Sequence, residues 1–436
     1  DAPEGKMLPP SPWRRAGGVP VRCGQRSRVR EMFHGWKLSL LGSGGNFLLH
    51  GGLIYMMNAF TEPLAAARGW ERGDIGVAMS VAALCGALSM PLLSSLSLRM
   101  SLRLLMTLGA LIGGTSVIVM GQVRSLGLFT LFFSIAWVSA QAFGGVIANI
   151  LAGRWFERYQ GRAFGVCNIG TSLSGAVLPF VLMVLIEHSG VSTVWAIYGC
   201  TVLCMAPVCW VMVRDTPEML GLHVDNLPGA VSLAPPPTVV VPLRRLLRTP
   251  SVYRTGLAFG CALMAGSAVM SQLKPGLVDA GFSSYPAMAF MCIAALCASL
   301  GKYLWGWLCD RYNPVTVARV LMVCNALTLS LVLLPQNVFT VAVFAVAFGT
   351  CVGGVWTTLP AVVAFHFGRE YFVGVYRVVG TFVLLRAAGY LILGCSHALT
   401  GSYDAAFAVF AAMLLGCFIL TLGLGKVPGE GMRPAG

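Results

Sequence analysis

One guanidinium stands where a chain of this composition should not hold one. Arg386 lies between VVGTFVLL (378–385) and AAGYLILGC (387–395), an apolar half-span on each side. A charged group near the middle of a bilayer-spanning helix costs about 3 kcal/mol on insertion scales, so such a residue belongs to a polar cavity. The chemistry it suits is the two-point grip of a planar guanidinium on a carboxylate or similar anion. The acids of the apolar segments (Glu62, Asp74, Glu187, Asp279, Glu370 and Asp404) all fall at segment ends or in loops. Arg386 therefore has no buried carboxylate from its own chain to face, and an unpaired buried cation is expensive. An anion brought from outside would supply the missing charge.

Other polar groups sit within apolar runs. Asn46 and His50 share one face of a helix at i, i+4. Gln141 and Trp356 are further candidates for a pocket wall, Trp356 as an aromatic surface beside a small anion. For each of these, helix packing is the blander alternative. An imidazole such as His50 can carry a proton near neutral pH.

The elements that must position these groups follow from composition. The 436 residues are 57% hydrophobic and 11% charged, with 52 Gly. An ordinary soluble domain carries about 25% charged residues, so lipid must solvate most of this chain. Twelve apolar stretches are long enough to span a bilayer: 36–60, 75–97, 103–122, 126–151, 163–186, 191–213, 252–273, 284–308, 315–335, 338–365, 373–399 and 403–425. The fold class expected is all-α, a membrane protein of 12 transmembrane helices in two six-helix bundles. The expected domains are a disordered N-terminal arm (1–33), a first bundle (34–213), a linker containing PPP (214–251), a second bundle (252–427) and a tail (428–436). The linker reads as a flexible connector, with 242–250 on the membrane surface. No apolar segment of secretory type precedes residue 37.

Charge distribution sets the orientation. Of the 30 Lys and Arg, 23 fall in one set of alternate connections and both termini, and four in the other set. Both termini and the linker are then expected in the cytoplasm of an integral membrane protein, at the plasma membrane or a bacterial inner membrane. The net charge of +14 is scattered through short loops, which argues against a nucleic-acid face. The 14 Cys are dispersed singly, with no CxxC or CxxH spacing and hence no metal or disulfide framework. No phosphate loop of the G-x-x-x-x-G-K-[ST] type occurs, so no nucleotide, metal or other cofactor is expected, and no enzyme activity. Glycines in GGVIANILAG (144–153) and GTSLSG (170–175) suit close helix packing.

Several motifs carry a family resemblance. GKYLWGWLCDR (301–311) resembles the loop signature of the major facilitator superfamily, whereas its counterpart PLLSSLSLRMSLR (91–103) keeps basic residues and lacks the Asp. HGW (34–36), RWFERYQGRAFG (154–165) with NIGTSLSGAVLP (168–179), and RDTPEMLGL (214–222) resemble segments of the monocarboxylate transporters and the oxalate:formate antiporter family. The resemblance implies two substrate cations, in spans 8 and 11. The matching positions are Lys302, four residues before Gly306, and Arg386, so that both cations are kept with residue types exchanged. It also implies a cytoplasmic gate, here Asp310 and Arg311, with Arg154 and Arg162 nearby. Trp356 falls in span 10, which borders the central cavity in that fold. Lys302 has a structural alternative, since it lies eight residues before Asp310 and could reach the interface or pair with that acid.

Where the animal monocarboxylate transporters carry a proton-bearing Asp, this chain has Ala298, and Ile54 stands near their span 1 Lys. Anion exchange or uniport of a mono- or dicarboxylate by alternating access is therefore the expected function, by a protein read as a monomer. The alternatives are proton-coupled symport using His50 or another carrier, and a non-transporting sensor or accessory subunit on the same fold. The latter predicts loss of the central cation pair.

Overall fold

In lipid every backbone N–H and C=O must be satisfied within the protein, which leaves helices as the economical solution for apolar runs of this length. The computed structural model describes residues 32–226, 242–334, 337–400 and 402–425, and these are helical with no strand among them. The expectations for the arm up to residue 31, for PPP within 227–241 and for the tail from residue 426 lie outside the described residues.

Twelve helical passes follow one another. In the first half α1 is built from His34–Gly45, a π-turn at Asn46–His50, Gly51–Tyr55 and Met57–Arg68. Then come α2 (Arg72–Leu96), α3 (Leu102–Gln122), α4 (Leu126–Phe143 and Gly145–Trp155), α5 (Gln160–Ser189) and α6 (Val191–Leu203 and Met205–Met212). The second half holds α7 (Pro250–Asp279), α8 (Ser284–Arg311), α9 (Pro314–Ser330) and α10 (Val338–Phe367). It ends with α11 (Phe372–Val379, a 3₁₀ turn at Gly380–Leu385, then Arg386–Thr400) and α12 (Asp404–Leu422). Among the described residues ten helices are long and apolar enough to cross a membrane by length and composition. The other two passes are α1, interrupted by its π-turn, and α9, which is shorter.

The connector after α6 does not begin as a loose chain. Asp215 accepts hydrogen bonds from the amides of Leu102 and Arg103 at the start of α3 (3.0 and 3.2 Å). Asp225 accepts from the amides of Glu157 and Arg158 (3.1 and 2.6 Å). Burial pushes the Asp225 carboxyl above the usual carboxylate range, and these backbone donors pull it back. Residues 214–226 are thus docked on the first half through two carboxylates that satisfy orphan amides.

Basic residues near helix ends have a second task beyond topology. Arg319 donates to the carbonyls of Thr421, Leu422 and Leu424 and Arg254 to that of Gly423, so two guanidinia close the C-terminus of α12. His34 Nε2 does the same for Met212 of α6 (2.9 Å). Cations belong at this end of a helix because the last carbonyls are unpaired and the dipole is negative there.

The two halves meet most closely along α5 and α8. A Cβ placed on Gly161 would collide with the Gly306 carbonyl, and one on Gly306 with the Gly161 carbonyl. Farther along α8, Cβ atoms on Gly349 and Gly353 of α10 would strike the carbonyls of Ala294 and Ala298. Small residues let these backbones touch, which is how helices associate where no hydrophobic effect operates. Replacing Gly306 with Val forces α5 and α8 apart at about 1–3 kcal/mol or more. Gly306→Val should lower the thermal midpoint of the purified protein by several degrees, whereas Gly394→Val, where nothing lies within 4 Å, should leave it in place. Equal midpoints for the two variants in a fluorescence melt would refute the backbone-contact account.

Candidate functional site

Three helices are interrupted within their membrane passes. The π-turn of α1 ends at His50, α4 breaks at Gly144, and the 3₁₀ turn of α11 ends one residue before Arg386. The first two share a cause. A Cβ on Gly45 would meet the Phe143 carbonyl, and one on Gly144 would meet the Asn46 amide, so α1 and α4 touch backbone to backbone. Irregular turns inside membrane helices commonly mark functional positions, because they turn side chains away from the regular helical face.

Polar groups stand at or beside these interruptions. The Arg386 guanidinium carbon lies 5.8 Å from the centre of the Trp356 ring. Tyr55, five residues beyond His50 on α1, lays its ring against Gly175 of α5. His50 is only 7% exposed and meets Trp137 edge-on at 5.7 Å. Its Nδ1 lies 3.4 Å from where a Gly145 Cβ would stand, beside Gln141 Oε1. Arg386 Nε, His50 Nδ1 and Gln141 Oε1 are buried without a hydrogen-bond partner among the described residues. Buried polar atoms are normally satisfied, so a guanidinium donor, an amide acceptor and an imidazole nitrogen left without partners suit a polar ligand. Among the described residues neither Arg386 nor Lys302 is ion-paired with a carboxylate.

The candidates read from the sequence fall into distinct settings. Arg386 lies beside Trp356, and His50 and Gln141 meet at Gly145. Lys302 is 2% exposed and donates from Nζ to the Asn168 carbonyl of α5 at 2.7 Å. It neither snorkels to the interface nor pairs with Asp310. Asn46 donates to the Cys167 carbonyl at 2.8 Å and is occupied in α1–α5 packing.

At the end of the bundle bearing the connector, Asp310 accepts from the Gly161 and Arg162 amides (2.6 and 3.1 Å) and pairs with Arg162 Nε at 2.8 Å. One carboxylate of the second half thereby caps the N-terminus of α5 in the first, favoured by both the free amides and the helix dipole. Arg311 takes no part in that clasp; it is exposed, with its guanidinium 5.6 Å from the Trp307 ring. Arg154 stays within the first half, 3.6 Å from Asp215 and bonded to the Ser97 carbonyl. Glu157 and Arg369 bridge the halves at 2.7 Å, and Arg377 donates to Ser95 at 3.1 Å. A cavity of about 670 Å³ opens on this face, lined by Glu157, Arg158, Asp310 and Arg369 among others.

Sequence reasoning passed over Tyr55, Trp137, Asn149, Asn168 and Tyr376. The two asparagines carried a usable signal, as amides deep in apolar runs. The aromatic residues carried none, since a membrane helix packs aromatic rings everywhere.

Comparison with known proteins agrees with this architecture. The sequence pattern of the Major Facilitator Superfamily matches residues 43–385. The chain is 26% identical to monocarboxylate transporter 13 of Bos taurus over 381 residues, 83% of this chain and 81% of that one. It is 35% identical to monocarboxylate transporter 13 of Rattus norvegicus over 150 residues, 32% of this chain and 33% of the relative. It is 21% identical to the probable transporter MCH2 of Saccharomyces cerevisiae over 304 residues, covering 68% of this chain and 60% of the yeast protein. The matched stretch thus spans less than two thirds of the rat and yeast relatives. Among solved structures, the human organic anion transporter MFSD10 superposes with a TM-score of 0.67 at 16% identity, covering 89% of this chain and 99% of that one. The fucose:proton symporter of E. coli gives 0.66 at 13%, covering 89% and 98%. At such identities the two structures speak for the fold alone. With most of its length matched by the family pattern, the chain belongs to the Major Facilitator Superfamily.

Proposed function

We propose that this transporter carries a small organic anion, a mono- or dicarboxylate, by alternating access. The observation that carries the reading is Arg386: a guanidinium whose Nε is buried without a partner, beside an aromatic ring, with no carboxylate paired to it. A carboxylate docking there gains two parallel charge-assisted bonds and neutralises a charge the protein leaves bare. The likeness to proteins named monocarboxylate transporter 13 supports the substrate class. Trp356 forms a wall, while Gln141 and Tyr55 offer polar atoms to the rest of a small anion.

Anion exchange or uniport fits a site with two cations and no buried acid. Proton symport is the second reading, favoured by one observation, the buried imidazole of His50, whose Nδ1 has no partner among the described residues. The connector-bearing face, richer in Lys and Arg, is assigned to the cytoplasm. The clasp of Asp310 on α5 then makes this a conformation closed on the cytoplasmic side.

Uptake of labelled oxalate, formate, lactate and pyruvate into proteoliposomes tests the reading. Arg386→Ala removes a charged contact of about 2–5 kcal/mol and should abolish uptake of the preferred anion, with Arg386→Lys restoring part of it. Unchanged uptake by Arg386→Ala would sink the anchor assignment. Trp356→Ala should raise KM more than it lowers the maximal rate. An imposed pH gradient should leave net uptake unaltered while internal counter-anion stimulates it. A gradient-driven uptake lost in His50→Ala would establish symport instead.

A further inference from the structure

Lys302 holds a position that an anchor alone does not require. Its ammonium is buried against a backbone carbonyl, that of Asn168, rather than directed into open space. The Asn168 side chain in turn donates to Asn149 Oδ1 (2.9 Å) and to the Phe164 carbonyl (2.8 Å). The Asn149 amide reaches the Gly145 carbonyl (3.1 Å) and the Tyr376 hydroxyl (3.5 Å). Tyr376 stacks on Phe372 (5.2 Å, 13°), and Phe372 stacks on Phe164 (5.9 Å, 18°). One knot of polar and aromatic contacts therefore joins α4 and α5 of the first half to α8 and α11 of the second. It lies between the central space and the outer clasp of Asp310 on α5.

We infer that Lys302 is a switch whose ammonium is held by the Asn168 carbonyl when the central site is empty and is drawn to the anion when it is filled. The inference rests on the central site binding an anion, as proposed above. A carboxylate is a stronger acceptor for an ammonium than a neutral carbonyl. The Asn149 bond to the Gly145 carbonyl carries the knot to the residue whose Cβ position lies 3.4 Å from His50 Nδ1. On the other side Gly354 of α10 packs on Trp305, three residues after Lys302, and Trp356, two residues after Gly354, lies beside Arg386. An anion seated on Arg386 thus competes with Asn168 for Lys302. Winning that competition removes the inner tie between α5 and α8 and favours opening of the connector-bearing end. A ligand shifts such an equilibrium only by its difference in affinity for the two states, and the transfer of Lys302 supplies that difference. The empty carrier stays tied while the loaded one is released, which is the asymmetry that anion exchange needs and which requires no proton carrier. Asn149 and Tyr376 act through Asn168 and are positioning residues.

Hydrogen–deuterium exchange of the full chain in nanodiscs, with and without millimolar oxalate, formate, lactate or pyruvate, tests this, with anion binding followed separately as a thermal shift. In the wild type the anion that raises the thermal midpoint should speed exchange in 160–168 and 302–311. Lys302→Met should exchange about tenfold faster there without anion, the loss of one charge-assisted hydrogen bond, and gain nothing further from the anion. Tyr376→Phe, which keeps Lys302, should raise basal exchange at 160–168 and retain the anion response; this variant carries the test if Lys302→Met does not fold. An anion that binds yet slows or leaves unchanged the exchange of these segments overturns the switch and spares the anion site. So does a Lys302→Met protein that responds as the wild type does, or a Tyr376→Phe protein with wild-type exchange. No thermal shift with any of the four anions, or a full shift in Arg386→Ala, overturns the anion site and the switch with it.

Discussion

The contact on which the rest of the molecule depends is the approach of α5 to α8. Two glycines, Gly161 and Gly306, allow the backbones to meet, and Asp310 then closes over the freed amides at the start of α5. Because the helices touch here, Lys302, about one turn from Gly306, is buried and lies against the Asn168 carbonyl. The depth of the second cation is thus a consequence of helix packing rather than of its own side chain. In a medium of low dielectric, one well-placed carboxylate on a helix terminus outweighs several exposed pairs.

The two halves are not equivalent at this end. The second half supplies Asp310, which grips the first half through backbone amides and Arg162. The corresponding segment of the first half, 91–103, lacks an acid, and α11 begins without a side-chain cap. Its attachment rests on Arg377 to Ser95 and on Arg369 to Glu157, the latter largely exposed. Asp215, from the segment after α6, takes the amides at the start of α3 and the charge of Arg154, so that it stabilises the first half internally. The clasp between halves is therefore strong along α5–α8 and weak along α2–α11, an asymmetry suited to opening by release of one contact.

The central space follows a different logic. Among the described residues no carboxylate pairs with Arg386 or Lys302. The π-turn at Asn46–His50 and the break at Gly144 meet at one backbone contact. A fully paired interior would be more stable and would bind nothing; the unpaired Nε of Arg386 and Nδ1 of His50 keep the site available.

Much of this was legible in the sequence. Apolar runs of membrane length dictate helices because lipid offers backbone groups no partners, and each of the runs coincides with one helical pass among the described residues, with the ends of α1, α7 and α9 differing most. Arg386 stood out because a guanidinium in such a run is costly, and Trp356 proved to lie beside it. Partner choice was not legible. The sequence could not tell that Asn46 would bond to α5, that Arg154 would turn to Asp215, or that Lys302 would hold a carbonyl instead of Asp310. Burial cost depends on a residue and its immediate neighbours in the chain, so it can be read locally. Hydrogen-bond partners 100 residues or more apart depend on which helices pack and at what depth, and that is decided only when small residues bring helices together, α1 onto α5 for Asn46 and α8 onto α5 for Lys302.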